Sequence, residues 1–178
     1  MIKFIKIVIG LFLKLYKTLY LYELNNNKNI SIEEGFTIKA IPIIDIRSHS
    51  QLIIGRNVTL NSNNQGYHMN MYSPVKLLAD KDGAVISIGS NTRINGACIH
   101  SWKSVKIGDN CLIAANCQIM DSNGHELSAS NVENRINTQD KPKEIVIENN
   151  VWIGANTIVL SGVKIGMGSV ISSNSVVV

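Results

Sequence analysis

From Ile145 to Val178 large aliphatic residues recur at every sixth position: Ile147, Ile153, Val159, Ile165, Ile171 and Val177. Four places after each of the first five comes a small or β-branched residue: Val151, Thr157, Val163, Ser169 and Ser175. Glycine follows at once after Ile153 and Ile165, and Asn or Gly fills many of the gaps. A helix repeats every 3.6 residues and a strand every 2, so a period of six is neither alone. A short strand plus a tight turn is a six-residue unit, and three units close a triangular coil of about 18 residues. Coils stacked at strand spacing, roughly 4.8 Å, put each aliphatic over its counterpart in a shared core. The pattern predicts an all-β protein, a parallel β-helix.

Upstream the period is present but interrupted. Ile88, Ile94 and His100 are six apart, a one-residue slip follows, and Ile107, Ile113 and Ile119 resume the count. "ISIGSNTRING" and "VKIGDNCLIAANCQI" share an Ile-Gly-x-Asn corner. His100 stands where an aliphatic is expected, so it reads as a core or corner histidine at the slip, or as a cleft residue beside Trp102. A looser repeat starts with Ile30, Phe36 and Pro42 and continues at Ile54 and Leu60. The polar, aromatic stretch 61–74 departs from the coil; its His68, beside Tyr67, Met69 and Tyr72, is a solvated loop histidine or an acceptor contact. The longest break is 121–144, DSNGHELSASNVENRINTQDKPKE, after which the coil resumes cleanly at Ile145. A long excursion from a rigid solenoid is costly to order and commonly functional.

Residues 1–25 form a separate element. In MIKFIKIVIGLFLKLYKTLYLY nearly every residue is apolar except Lys3, Lys6, Lys14 and Lys17, which line one stripe of an amphipathic helix. The uncharged run Ile7 to Leu13 is too short to span a bilayer, and no small-x-small cleavage site follows. The helix either packs on the end of the β-helix or an oligomer, covering an open strand edge, or lies in the plane of a membrane surface. The division is thus an N-terminal helix over 1–25 and a β-helix domain over 26–178.

Composition narrows the function classes. The net charge of +4 is accounted for by the four helix lysines, and the other 13 Lys and Arg balance the 13 Asp and Glu. The body carries no basic footprint for nucleic acid. Cys98, Cys111 and Cys117 all fall four places after a hexad aliphatic, as buried free thiols would, and suit a reducing cytosol. His49, His68, His100 and His125 are widely separated, without the convergent spacing that a zinc site needs, so no metal is expected.

His125 opens the long excursion, in Ser122-Asn123-Gly124-His125-Glu126. Imidazole is suited to removing one proton near neutral pH. A base so placed would take the proton of an attacking hydroxyl or amine, provided the two reactants are held together. Such a base is commonly oriented through its other nitrogen by a carboxylate. Asp121 and Glu126 are the nearby candidates, and a backbone carbonyl could serve instead.

"VWIGANTIVLSGVKIGMGSVISSNSVVV" resembles the hexapeptide-repeat acetyltransferases with a left-handed β-helix, nearest to the maltose and galactoside O-acetyltransferases and their surface-polysaccharide relatives. The match is specific over about 85–178. The resemblance implies a left-handed coil, a homotrimer with sites between subunits, and acetyl-CoA as co-substrate. It gives Gly124-His125 the place of the catalytic base, and Trp152, Ala155 and Ser173 the places lining the coenzyme A groove. The asparagine that galactoside-type enzymes place one coil earlier aligns with Ile94, beside Asn95, which leaves the acceptor open. The family continues into a basic tail near the nucleotide phosphates, whereas this chain ends at Val178, either cut short or holding the nucleotide differently.

The expectation is O-acetylation of a sugar or glycan hydroxyl in capsule, exopolysaccharide or lipopolysaccharide assembly. Transfer is direct, with His125 as base and Asp121 steadying it, in a cytoplasmic protein with possible contact to the inner membrane face through 1–22. Two alternatives stand beside it: an N-acetyltransferase on an amino sugar, whose product would resist mild alkali, and a non-catalytic β-helix scaffold, which would not bind coenzyme A.

Overall fold

The computed structural model describes the backbone of residues 2–47 and 49–178, and their side chains except those of residues 2–4, 6 and 7. Lys3 and Lys6 therefore lie outside the described side chains. Each six-residue unit becomes a short strand and a corner, and the strands stack into three parallel six-stranded sheets, the faces of a left-handed β-helix of six coils. The first face runs through Ile30–Ile32, Gln51–Ile54, Val85–Ile88, Ser104–Ile107, Ile145–Ile147 and Lys164–Ile165. The second runs through Thr37–Lys39, Thr59–Asn61, Arg93–Asn95, Leu112–Ile113, Trp152–Ile153 and Val170–Ile171. The third runs through Ile43–Ile46, Lys76–Ala79, Cys98–Ser101, Gln118–Met120, Ile158–Val159 and Val176–Val177.

Pairing is like over like. Ile32, Ile54, Ile88, Ile107, Ile147 and Ile165 form one continuous column on the first face. Side chains alternate across a strand, so one residue in two points inward and is buried by the coils above and below. Each enclosed isoleucine contributes roughly 1.5–3 kcal/mol relative to exposure. In the first coil the core residues are Ile32, Ile38 and Ile44, two places on from the Ile30, Phe36, Pro42 series read in the sequence, because their partners below are Ile54, Leu60 and Leu77.

A five-residue step precedes the slip that the sequence shows, and the corner after Ile99 takes up the extra residues. Ile99, not His100, is the inward residue, and the step from Ile94 is five residues because Gly96 cuts the corner with φ +49. His100 consequently points out and pairs with Asp80 (Nε2–Oδ1 2.9 Å). The same short step turns Cys98 outward and gives its inward place to Ala97, whereas Cys111 and Cys117 are buried as expected. Burial raises all three thiols, Cys117 to about 11, which keeps them protonated and poor nucleophiles at neutral pH.

The corners explain the Ile-Gly-x-Asn motif. Asn57, Asn91 and Asn110 all have φ near +56, a left-handed conformation that asparagine tolerates better than other side chains. Their amides form a ladder down the first corner, Asn57 donating to Asn91 and Asn91 to Asn110, each at 3.2 Å. A second ladder, Asn116 to Asn156 to Asn174, runs down the corner between the second and third faces. The motif glycine is there for space: a Cβ on Gly89 would come within 2.4 Å of the Gly108 carbonyl carbon below.

Extra residues leave the coil only at corners. Residues 62–74 bulge between the second and third faces and run down over the next coils, with Met71 against Gly96 and the Tyr72 N–H donating to Asn116 Oδ1 (2.9 Å). The excursion 121–144 leaves between the third and first faces. Its neck is closed by Ser161 Oγ donating to the Asp121 carbonyl (2.7 Å), with the Lys143 N–H donating to the same carbonyl (3.0 Å). The Asp121 carboxylate, fully buried, accepts from Ser101 Oγ and from the Trp102, Lys103 and Ser104 N–H groups at 2.7–3.0 Å. It holds the preceding coil's corner.

The helix α1 (Ile2–Asn26) caps the N-terminal end of the solenoid with its last turns only. Leu24 is buried, Tyr20 and Leu21 pack on the core, the Tyr20 hydroxyl donates to the Pro42 carbonyl (3.0 Å), and Lys17 Nζ donates to the Ile38 carbonyl (2.8 Å). Burial raises the Tyr20 phenol to about 12. Among the described residues no helix is long and apolar enough to cross a membrane.

Two stability measurements follow from these corners. Replacing Asn91 by Ala removes two ladder bonds and leaves a Cβ at positive φ, so denaturant unfolding should show a loss of about 2 kcal/mol. Asn91→Gly relieves the backbone and should cost about half as much. Asp121→Ala strands several buried donors and should cost about 3 kcal/mol, a Tm decrease of about 6–12 °C by calorimetry.

Candidate active site

His125 is held by its own loop. Its Nδ1 lies 3.0 Å from the Thr138 carbonyl oxygen, on the returning arm of the excursion. A carbonyl only accepts, so Nδ1 carries the proton and Nε2 presents a lone pair. Thr138 is fixed in turn, its Oγ1 donating to the Arg135 carbonyl (2.8 Å) and accepting from the Glu126 N–H (3.0 Å). The short 3-10 helix Val132–Asn137, capped by the Asn131 side chain, delivers Thr138 to this place. Arg135 Nε donates to the Leu127 carbonyl, and the Asp140 carboxylate accepts from the Asn123 N–H (2.8 Å), tying the two arms together.

The carboxylate expected beside the imidazole is elsewhere. The four donors of the 101–104 corner occupy Asp121, and the Thr138 carbonyl takes the orienting place. Nothing in the sequence marks Thr138, thirteen residues on, as the partner; only the folded loop brings it round.

The loop folds back along the corner between the third and first faces, toward the earlier coils. With Lys81, Trp102, Gly124 and Gln139 the imidazole lines a shallow cavity of about 320 Å³. Lys81 Nζ sits 4.6 Å from the Trp102 ring centroid, a cation–π distance, and within 3.4 Å of Gln139 Oε1. The Trp102 indole N–H is buried without an acceptor. His100, paired with Asp80, stands edge-on to the same ring at 6.1 Å. The sequence linked His100 with Trp102; Lys81 and Asp80 escaped notice because their corner belongs to an earlier coil.

The residues assigned to the cofactor lie on the other edge of the third face. Trp152 points outward from the second face and is 51% exposed. Ala155 and Ser173 occupy the corner between the second and third faces on successive coils, where the Ser173 N–H would meet a Cβ on Gly154 at 2.5 Å. His68 stacks near Tyr67, ring centroids 4.6 Å apart, in the loop that covers this corner higher up. Asn95 is buried and spent on the coil, accepting from Asn61 and donating to the Ile113 carbonyl. A single copy thus carries His125 on one edge of its third face and Trp152, Ala155 and Ser173 on or beside the other. Among the described residues no group of three or more His, Cys, Asp or Glu side chains converges as metal ligands would.

Comparison with known proteins agrees with this architecture. Residues 144–178 match the model for the bacterial transferase hexapeptide (six repeats), and residues 85–120 match the hexapeptide repeat of succinyl-transferase. The chain is 34% identical over 125 residues to the lipopolysaccharide biosynthesis O-acetyl transferase WbbJ of Escherichia coli K12, covering 66% of this chain and 63% of that one. It is 40% identical over 96 residues to the galactoside O-acetyltransferase of the same organism, covering 53% and 45%. The chain thus spans about half to just under two thirds of the length of these curated relatives. A hexapeptide-repeat acetyltransferase of Vibrio cholerae, solved with acetyl coenzyme A, superposes with a TM-score of 0.44 at 34% identity over 52% of this chain and 51% of that one. The polysialic acid acetyltransferase NeuO superposes with a TM-score of 0.42 at 20% identity over 85% and 80%. The chain is thus a left-handed β-helix of hexapeptide repeats, similar in sequence to O-acetyltransferases over about two thirds of its own length.

Proposed function

We propose that the protein is an acetyl-CoA-dependent O-acetyltransferase acting on a sugar hydroxyl of a surface glycan. The observation that carries this reading is the state of His125: Nδ1–H donated to a fixed carbonyl, Nε2 left as a base beside a cavity. In the proposed step Nε2 takes the acceptor hydroxyl proton as its oxygen attacks the thioester carbonyl. The tetrahedral intermediate then expels the coenzyme A thiolate, which recovers the proton from the imidazolium. Holding donor and acceptor together supplies much of the acceleration, and none of the raised cysteine thiols is needed as a nucleophile. Trp152, Ala155 and Ser173 hold the donor along the corner, where small side chains leave room for a pantetheine arm. The acceptor enters beside Trp102 and Lys81. Names of relatives such as WbbJ support a glycan acceptor in surface-polysaccharide assembly.

One copy does not assemble this site, since its two halves lie at opposite edges of the third face. Outward on that face stand Leu78, Met120, Ile158, Leu160 and Val176 beside Lys76, His100 and Gln118, so the surface is mixed and turns apolar toward the last coils. A contact that sets one edge of a copy against the opposite edge of the next is heterologous, and it closes as a ring when the rotation between copies divides a full turn. A homotrimer with the third faces turned inward meets this requirement and makes each site from two chains.

His125 is exposed and supports no packing, so His125→Ala should keep its melting temperature while losing about 10²–10⁴-fold in kcat, read as thiol release from acetyl-CoA with a panel of glycan acceptors. Full activity in that variant would remove the base from the mechanism. The shared site has its own check, in which His125→Ala chains are co-refolded with Ala155→Trp chains. Each variant alone should be inactive, and the mixture should regain activity at about a quarter of its clefts by random assembly. No recovery in a mixture shown to contain both chains would place the whole site in one copy.

A further inference from the structure

The N-terminal helix presents a surface that the solenoid does not cover. We propose that α1 docks on an anionic lipid bilayer, lying in the plane of the membrane with the β-helix held on its far side. At 100° per residue, Ile5, Val8, Ile9, Leu11, Phe12, Leu13, Leu15, Tyr16, Leu19 and Tyr22, all exposed, cover an arc of about 200°. The solenoid grips the opposite side of the helix through Leu24, Leu21 and Lys17, and reaches one margin of the arc through Tyr20. The apolar arc therefore faces away from the body along the helix. It does not serve as the packing face of the cap.

Charge identifies the occupant. Lys3, Lys6, Lys14 and Lys17 fall at helical positions within about 80° of one another, opposite the centre of the apolar arc. No Asp or Glu occurs before Glu23, and these four lysines carry the whole net charge of the chain. An apolar face backed by a basic stripe with no acidic residue is the complement of a leaflet with negative headgroups. A second copy of the helix fits less well. A helix–helix seam is narrower than 200°, so a partner helix would leave much of the arc in water and bring like charges together. A bilayer covers the whole arc, and at 25 residues, about 37 Å, the helix has the length to rest along its surface. Lys17 is held by the Ile38 carbonyl, whereas the exposed Lys14, at the edge of the stripe, reaches the headgroups by extending its stem.

Flotation of the full chain with lipid vesicles tests this without reference to catalysis. With phosphatidylcholine vesicles containing phosphatidylglycerol, the protein should float at least about tenfold more than with phosphatidylcholine alone, and added salt should weaken the difference. Phe12→Glu with Leu15→Glu alters two side chains at the middle of the arc that touch nothing in the body. This variant should melt as wild type does and lose flotation by at least about tenfold. Lys14→Glu should lose the preference for anionic vesicles while keeping its fold. A wild-type chain that floats with neither vesicle, or a double variant that floats as well as wild type, overturns the proposal. If the double variant instead breaks up an assembly measured by sedimentation, and wild type ignores vesicles, the occupant is a second copy.

Discussion

The structure rests on hydrogen bonding between successive coils. Every strand pairs in parallel with the strands above and below it, so each coil must present the same number of residues per face as its neighbours. That requirement turns a modest preference for isoleucine into a column of six. It also makes the corners the only places where the chain can gain or lose a residue without shifting every inward side chain to the outside. The five-residue step at Gly96 shows how strict this is: one missing residue is absorbed entirely at the corner, and Ile99 returns to the column.

Function follows from the same restriction. Whatever the solenoid cannot absorb it extrudes, and both extrusions, 62–74 and 121–144, flank the third face. The second is rigid for its size because its arms are tied to each other and its neck to the solenoid. Asp121 serves that neck. A carboxylate surrounded by three backbone N–H groups and a hydroxyl anchors the corner from which the loop springs, so its contribution to His125 runs through the loop's position. The imidazole is oriented by a backbone carbonyl, a partner that depends on loop conformation and on no particular side chain.

The helix α1 meets the solenoid's other difficulty, the open end of its first coil. Tyr20, Leu21 and Leu24 cover that end and stop strand pairing from continuing into another molecule. This takes two turns. The preceding residues turn their aliphatics away from the body, where only Lys17 is held, so one continuous helix joins a cap to a surface for something else.

Much of the architecture can be read in one dimension because a solenoid is nearly one-dimensional: contacts lie a fixed number of residues away, and a period of six states them. Ile147 to Val177, the Ile-Gly-x-Asn corners, the excursion at 121–144 and the helix at the N-terminus are all written in local spacing. His125 stands out for the same reason, as the histidine at the start of the break. The tertiary structure alone decided what depends on where a corner turns or a loop returns. A short step at Gly96 turned Cys98 outward, Asp121 went to the 101–104 corner, and Thr138 came to His125. Lys81 and Asp80 joined Trp102 and His100 across coils. The separation of His125 from Trp152, Ala155 and Ser173 is of this kind too. Periodicity says which residues share a face, but only the three-sided closure of the coil says which edges of that face they occupy.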